Sequence, residues 1–272
     1  MTPFRSLRAL ASGPALMLVL VLLMAAGTAF AGQPCPEKPA DKRLQMRNLE
    51  LGTKVRDTLE QTGASIAYVA RAGIDLTRYG LVFSHVGLAW RDHPKGRWFT
   101  YHLLNTCGTA SSELIDQSLE DFYNVDLFSH DALVVVPSAE LQAKLLKAFF
   151  SPIAPTLHER AYSMISSPWS VMYQSSNQWV LEVSAAALAP ENAVQNRLQA
   201  QNWLKANGYQ PFRARVGGAL VLGSRLFSPH VRFDDHSEQE AREGVYLTTT
   251  ADSAVDFVQR FDPGLRRVAL KP

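Results

Sequence analysis

The chain carries 272 residues, with 27 basic and 25 acidic side chains and two cysteines. That length supports one domain with a sizeable core, or one domain with an appendage. A charge so close to balance argues against nucleic acid or an anionic membrane as the main partner.

Met1–Ala31 has the three parts of a secretory leader. Arg5 and Arg8 form a basic start, Ala15–Ala26 an apolar run, and Ala29-Phe30-Ala31 a small-x-small cleavage pattern. Cleavage after Ala31 removes two of the 27 basic residues and leaves 25 against 25 acidic ones, a formally neutral mature chain. No second long apolar run follows, so the mature protein is expected to be soluble, in the periplasm or secreted. Gly-Gln-Pro before Cys35 is not a lipobox. Two cysteines in an exported chain, Cys35 and Cys107, most simply form one disulfide tying the mature N-terminus to the end of a strand. No free thiol then remains for catalysis, and two lone cysteines make a poor metal site. The domain plan is a leader at 1–31 and one α+β domain at 32–272, with a core of about 64–211 and a C-terminal extension at 212–272.

In chain order, Leu44–Gln61 has helical spacing (Met46, Leu49, Val55, Leu59), weakened by Gly52 and stopped by Gly63. Ser65–Ala70 is a short strand. Arg71–Leu76 is a turn in which Arg71 and Asp75 are spaced to form an ion pair, bracing the turn or simply solvated at the surface. Leu81–Asn105 is a hairpin: two alternating strands joined by Arg91-Asp92-His93-Pro94-Lys95-Gly96. Each strand carries one histidine among apolar neighbours, His85 and His102. An antiparallel hairpin can bring two such side chains within hydrogen-bonding reach on one face. Taken alone, they fit structural histidines.

Ser111–Tyr123 has a helical apolar side (Leu114, Ile115, Leu119, Phe122). Ala132–Val136 is a buried strand bounded by Pro137, and Ser138 can N-cap a helix through Phe150. His130 and His158 sit in polar surroundings and read as surface residues. Gln178–Leu188 suits a buried helix, preceded by the capping types Ser175, Ser176 and Asn177. A hydroxyl there can be a cap, or a nucleophile at the positive end of a helix whose free N–H groups stabilise an oxyanion. Asn192–Asn207 is a further helix, Gly217–Leu222 an apolar strand, Val245–Thr249 a strand and Ala254–Arg260 a short helix. Asp234-Asp235-His236 is best explained as an exposed acidic loop. HExxH, Cys-x-x-Cys and phosphate-cradling glycine loops are all missing, so neither metal nor cofactor is expected.

Ser84-His85-Val86-Gly87-Leu88 resembles the S-H-V-G-I strand of circularly permuted NlpC-type papain-like hydrolases, in which the catalytic histidine precedes the nucleophile. A polar residue on the following strand corresponds to His102. Ser175-Ser176-Asn177-Gln178-Trp179-Val180 matches their N-C-[ST]-E-[LF]-V helix start, with Ser176 at the cysteine position and Gln178 at the glutamate. From about Arg71 to Pro211 the chain also resembles the exported bacterial family of domain of unknown function 2145, through its S-H-V-G, H-L-L-N and S-N-Q-W-V-L-E blocks. The resemblance implies an α+β fold of permuted papain-like architecture, an antiparallel sheet packed against helices. It also implies a site of Ser176 as nucleophile, His85 as base and His102 as the group that orients it. The expected substrates are amide or ester bonds in the cell envelope, in cell-wall peptides or lipid-linked acyl groups.

Serine in place of cysteine changes the chemistry. A helix dipole and an imidazolium lower a thiol's pKa enough to form a thiolate, whereas a hydroxyl needs a true general base during attack. The alternative is therefore a catalytically inactive periplasmic binding domain that keeps the cleft. A purely structural exported protein is the third reading.

Overall fold

The computed structural model describes residues 41–271, and for 225–227 the backbone alone. The expected leader, its cleavage point and Cys35 lie outside the described residues. The helix expected near 44–61 is α1, Lys42–Thr62, opened by the Asp41 side chain accepting from the Arg43 N–H at 2.8 Å. Leu51, Val55 and Leu59 recur at four-residue spacing and are its buried stripe. Gly52, a weak point for a helix, lets α1 approach closely: a Cβ there would lie 2.9 Å from the Glu120 Cα.

The strands that follow are β1 (Ile66–Ala72), β2 (His85–His93), β3 (Gly96–Asn105), β4 (Ser112–Ser118) and β5 (Ser129–Val136), with β8 (Arg266–Leu270) at the far end of the chain. They form one six-stranded sheet in the order β4-β3-β2-β1-β5-β8, with every neighbouring pair antiparallel. The mixed α/β class with an antiparallel sheet is as expected.

Alternation divides this sheet into two buried faces. Ile66, Tyr68, Ala70, Val86, Leu88, Leu103, Leu133 and Val135 point to one side. There they meet α3 (Ala139–Phe150), the short α4 (Ile153–Thr156) and α5 (Ser176–Leu188), with α6 (Arg197–Ala206) and α9 (Ala251–Phe261) joining the same core. Ala67, Val69, Ala89, Trp98, Ala132, Val134 and Val136 point to the other side. That face is covered by α1 and by the short α2 (Leu119–Tyr123).

Several expectations need correction. Ser111–Tyr123 is not one helix, because residues 112–118 pair along β3 as β4 and only the last five residues turn helical. Leu114 and Ile115 therefore lie on opposite faces of a strand. Gly217–Leu222 is not the expected apolar strand but the start of a helix, α7 (Gly218–Phe227), with Leu222 61% exposed. The helix expected from Asn192 begins only at Arg197, where Asn196 accepts from the Gln199 N–H. The C-terminal segment, expected beside the core, supplies both the β8 edge strand and α9. Among its residues β6 (Phe212–Arg215) and β7 (Val245–Thr248) make a separate two-stranded sheet, next to α8 (Glu238–Glu243). Among the described residues, no helix is long and apolar enough to cross a membrane.

Candidate functional site

His85 opens β2 and His102 lies near the end of β3. Alternation places both on the side covered by α1 and α2, where the Phe122 ring centroid stands 5.7 Å from His85 and 5.1 Å from His102. The two rings meet edge to face, with His85 Nε2 and His102 Nδ1 2.7 Å apart. Gly87 makes this possible. A Cβ at that position would sit 2.6 Å from the Thr100 Cγ2 and 3.1 Å from the His102 Cβ, so only glycine lets β3 close on β2 here.

The remaining His102 nitrogen, Nε2, lies 3.0 Å from the Gln117 Oε1 on β4. An amide oxygen only accepts, so His102 carries its proton on Nε2 and presents a bare Nδ1. His85 must then donate from Nε2, which leaves its Nδ1 as the unprotonated nitrogen. Both rings are neutral at neutral pH. Burial first, then the Arg71 and His102 charges, hold His85 well below the usual imidazole range. His102 is pushed down to about 3 by burial and then by Arg71, against the opposing bond to Gln117.

Arg71 is the unexpected member of this cluster. It pairs across β1–β2 with His85, is buried, donates to the Phe122 carbonyl and stacks 4.4 Å from the Phe122 ring centre. The expected pairing with Asp75 does not form: the Asp75 carboxylate accepts from the Thr77 N–H and hydroxyl instead. β1 continues through Arg71, so strand alternation carries the guanidinium inward, away from the turn.

Ser176 begins α5. Ser175 is the cap, its hydroxyl accepting from the Gln178 N–H at 3.3 Å, which frees Ser176 from that duty. The Ser176 hydroxyl neighbours the buried Tyr162 phenol, whose pKa burial raises and this hydroxyl partly lowers again. Among the described residues, neither imidazole hydrogen-bonds Ser176. The first two N–H groups of α5, those of Ser176 and Asn177, have no acceptor within the helix.

The body of α5 packs on the sheet face opposite the histidines, and the two sides meet where β2 and β3 part. Their ladder runs from Leu88 opposite Tyr101 to His93 opposite Gly96. Beyond it the Asn177 amide bonds β2 directly, accepting from the Val86 N–H at 3.0 Å and donating to the Ser84 carbonyl at 3.2 Å. Asn177 thus clasps the backbone on either side of His85, one residue along from Ser176.

The rest of the S-N-Q-W-V-L-E block is structural. Gln178 accepts from the Ser166 hydroxyl at 2.6 Å, and the Trp179 indole donates to the Ala154 carbonyl. Glu182 accepts from Gln174, Gln178, Arg197 and Gln201.

Sequence reasoning missed Arg71, Gln117, Tyr162 and Asn177 as neighbours of the site. A strand reading of 112–118 would have found Gln117, which shares the His102 face one pair further along. His130 and His158, expected at the surface, are half-buried, and His158 Nε2 lies 3.1 Å from the Ser112 hydroxyl. Asp235 and His236 are not an exposed loop either, since both side chains are fully enclosed. His236 is wedged between Glu240 and the Ile165 carbonyl, and Asp235 accepts from the Ser167 N–H. Among the described residues, no three metal-ligating side chains cluster.

No curated protein and no solved structure matches the chain. A family model does match, over residues 58–258, a span that takes in the histidine strands, Arg71 and the whole of α5. The chain therefore belongs to the bacterial family described as "Uncharacterized protein conserved in bacteria (DUF2145)".

Proposed function

We propose that this is an exported cell-envelope hydrolase or acyl transferase in which Ser176 attacks an amide or ester carbonyl. His85 is its general base, and His102 holds that base in orientation. The papain-like likeness behind this reading rests on the two motifs alone. The single observation that supports it is the Gln117–His102–His85 chain, which spends His85 Nε2 and leaves Nδ1 as a bare, neutral acceptor. In the reaction the Ser176 hydroxyl turns from Tyr162 and gives its proton to His85 Nδ1 as Oγ bonds the carbonyl carbon. The N–H groups of Ser176 and Asn177 receive the oxyanion. His85 then passes the proton to the departing amine or alcohol. Cell-wall peptides or lipid-linked acyl groups are the proposed substrates, and the Cys35–Cys107 disulfide and periplasmic or secreted location belong to the same proposal.

Two observations favour a second reading, a silent binding domain: the hydroxyl neighbours the Tyr162 phenol, and burial, then Arg71, weakens the base. A fluorophosphonate probe separates the two. Under the hydrolase reading the purified mature protein is labelled at Ser176, and His85→Ala abolishes the labelling. Absence of labelling, together with an ordinary thiol pKa in Ser176→Cys, sinks the enzyme and leaves the binding domain.

A further inference from the structure

The histidine cluster has a charge without a counter-charge. Arg71 is 6% exposed, and desolvation lowers its pKa to about 10, close enough to ordinary to leave it cationic at neutral pH. Among the described residues its guanidinium makes one hydrogen bond, to the Phe122 carbonyl, and no carboxylate stands within ion-pair distance. The charged and titratable groups around it are His85 across the ladder, His102 on β3 and the Tyr123 phenol on α2. None is an anion at neutral pH. A buried cation without a partner is costly, and chains ordinarily neutralise one with a carboxylate.

The cluster is closed on most sides. His102, Phe122 and Tyr123 have no exposed surface, whereas Arg71 and its cross-strand partner His85 keep 6% and 9%. Among the described residues, the exposure this cluster keeps is therefore at Arg71 and His85, side by side across the ladder. A guanidinium has five donors in a planar fork that matches a carboxylate. One positive charge in an enclosed place is balanced by a monoanion, while a phosphate dianion would leave a net negative charge there.

We propose that Arg71 anchors a carboxylate-bearing ligand where it and His85 reach the surface, with its carboxylate against the guanidinium and the rest of the molecule directed past His85. The inference deepens the hydrolase reading by naming a substrate class, an acyl compound or peptide with a free carboxylate near the bond attacked, and rests on that reading for the reactive group alone. It also gives the ligand a role in activation. Neutralising Arg71 removes one of the charges that depress His85, so a bound carboxylate strengthens the base beside it.

The test uses the full mature chain carrying Ser176→Ala, so that binding is measured without turnover. Acetate, N-acetylglycine, acetamide, chloride and inorganic phosphate are titrated, following the melting temperature and the His85 ring signals by NMR. Acetate and N-acetylglycine are expected to raise the melting temperature saturably and lift the His85 pKa by about one pH unit, the order of effect of one nearby charge. Acetamide is expected to do neither. In Arg71→Met the carboxylate response disappears and the His85 pKa is already raised; if that variant does not fold, the acetate and acetamide arms decide alone. Equal responses to acetate and chloride, a phosphate response as strong as that to acetate, or a carboxylate response retained in Arg71→Met would overturn the proposal. Fluorophosphonate labelling of the parent protein with no carboxylate response removes the anchor and spares the nucleophile; the converse removes the nucleophile and spares the anchor.

Discussion

Among the described residues two arginines are buried, and they are treated differently. Arg197 meets Glu182 through two hydrogen bonds, Nε to Oε2 at 2.9 Å and Nη2 to Oε1 at 3.2 Å, and donates further to the Val171 and Tyr173 carbonyls. Three glutamines complete the Glu182 shell. The net charge is zero, and the network ties α5 and α6 to the loop that precedes them. Arg71 has a carbonyl and an aromatic face, two neutral imidazoles, and no anion. The contrast separates a buried charge that serves the fold from one that the fold merely tolerates. Sites that violate the usual charge pairing are where function is to be sought.

The sharpest way to break this comparison is to remove one partner from each cluster. Glu182→Ala strands the Arg197 charge and is expected to cost about 3–5 kcal/mol in urea unfolding. Arg71→Met exchanges an unpaired buried cation for an apolar chain and is expected to be close to neutral or stabilising. A large loss from Arg71→Met would mean that Arg71 is a fold element like Arg197.

Gly87→Ala comes next. Its Cβ collides with Thr100 and His102, so a loss of about 1–3 kcal/mol is expected, together with displacement of the imidazole pair. Chemical shifts of His85 that stay unmoved would show that the rings do not depend on this close approach.

The histidine cluster also predicts an acid sensitivity. The folded-state pKa values of His85 and His102 lie below the unfolded value of about 6.5, so the unfolded chain binds more protons below that pH. Their stabilising contribution is complete above pH ~6.5 and is lost as pH falls below that, for His102 down to about 3, at up to about 1.4 kcal/mol per pH unit for each histidine. His102→Gln removes one of the two protons from that dependence, and a slope unchanged in this variant would contradict the neutral buried pair.

The smallest effect separates the adjacent serines. Ser175→Ala deletes the helix cap and is expected to cost about 1 kcal/mol. Ser176→Ala loses only the Tyr162 contact, so its stability should change less, while any activity disappears. Equal losses from both would make Ser176 a second capping residue.

Where local chemistry and tertiary context agree, the sequence reading held. Ser138 caps α3 through the Leu141 N–H, and the ALVVV run lies within β5. Ser65–Ala70 is legible as β1 because branched residues bounded by turn chemistry have few other solutions. The hairpin carrying His85 and His102 was legible through its alternation. Residues 112–118 misled, since Leu114 and Ile115 spaced with Leu119 and Phe122 fit a helix until β3 supplies a partner along their full length. Arg71 misled for a related reason: a charged residue two positions before a glycine looks like a turn unless the strand is known to run on through Ala72.

By itself the sequence determined the elements whose signal is local: a cap at Ser138, capping types just ahead of a buried helix through Leu188, and strand periods around His85 and His102; that Ser175 is the cap and the helix starts at Ser176 came from the structure. Tertiary structure decided which buried charges are balanced, because a counter-ion such as Arg197 for Glu182 comes from a distant segment. It also decided that Asn177 joins α5 to β2 across 91 residues of chain. Propensity and alternation act over a few neighbouring residues, whereas neutralising a charge or closing a site depends on what the whole fold brings within about 3 Å.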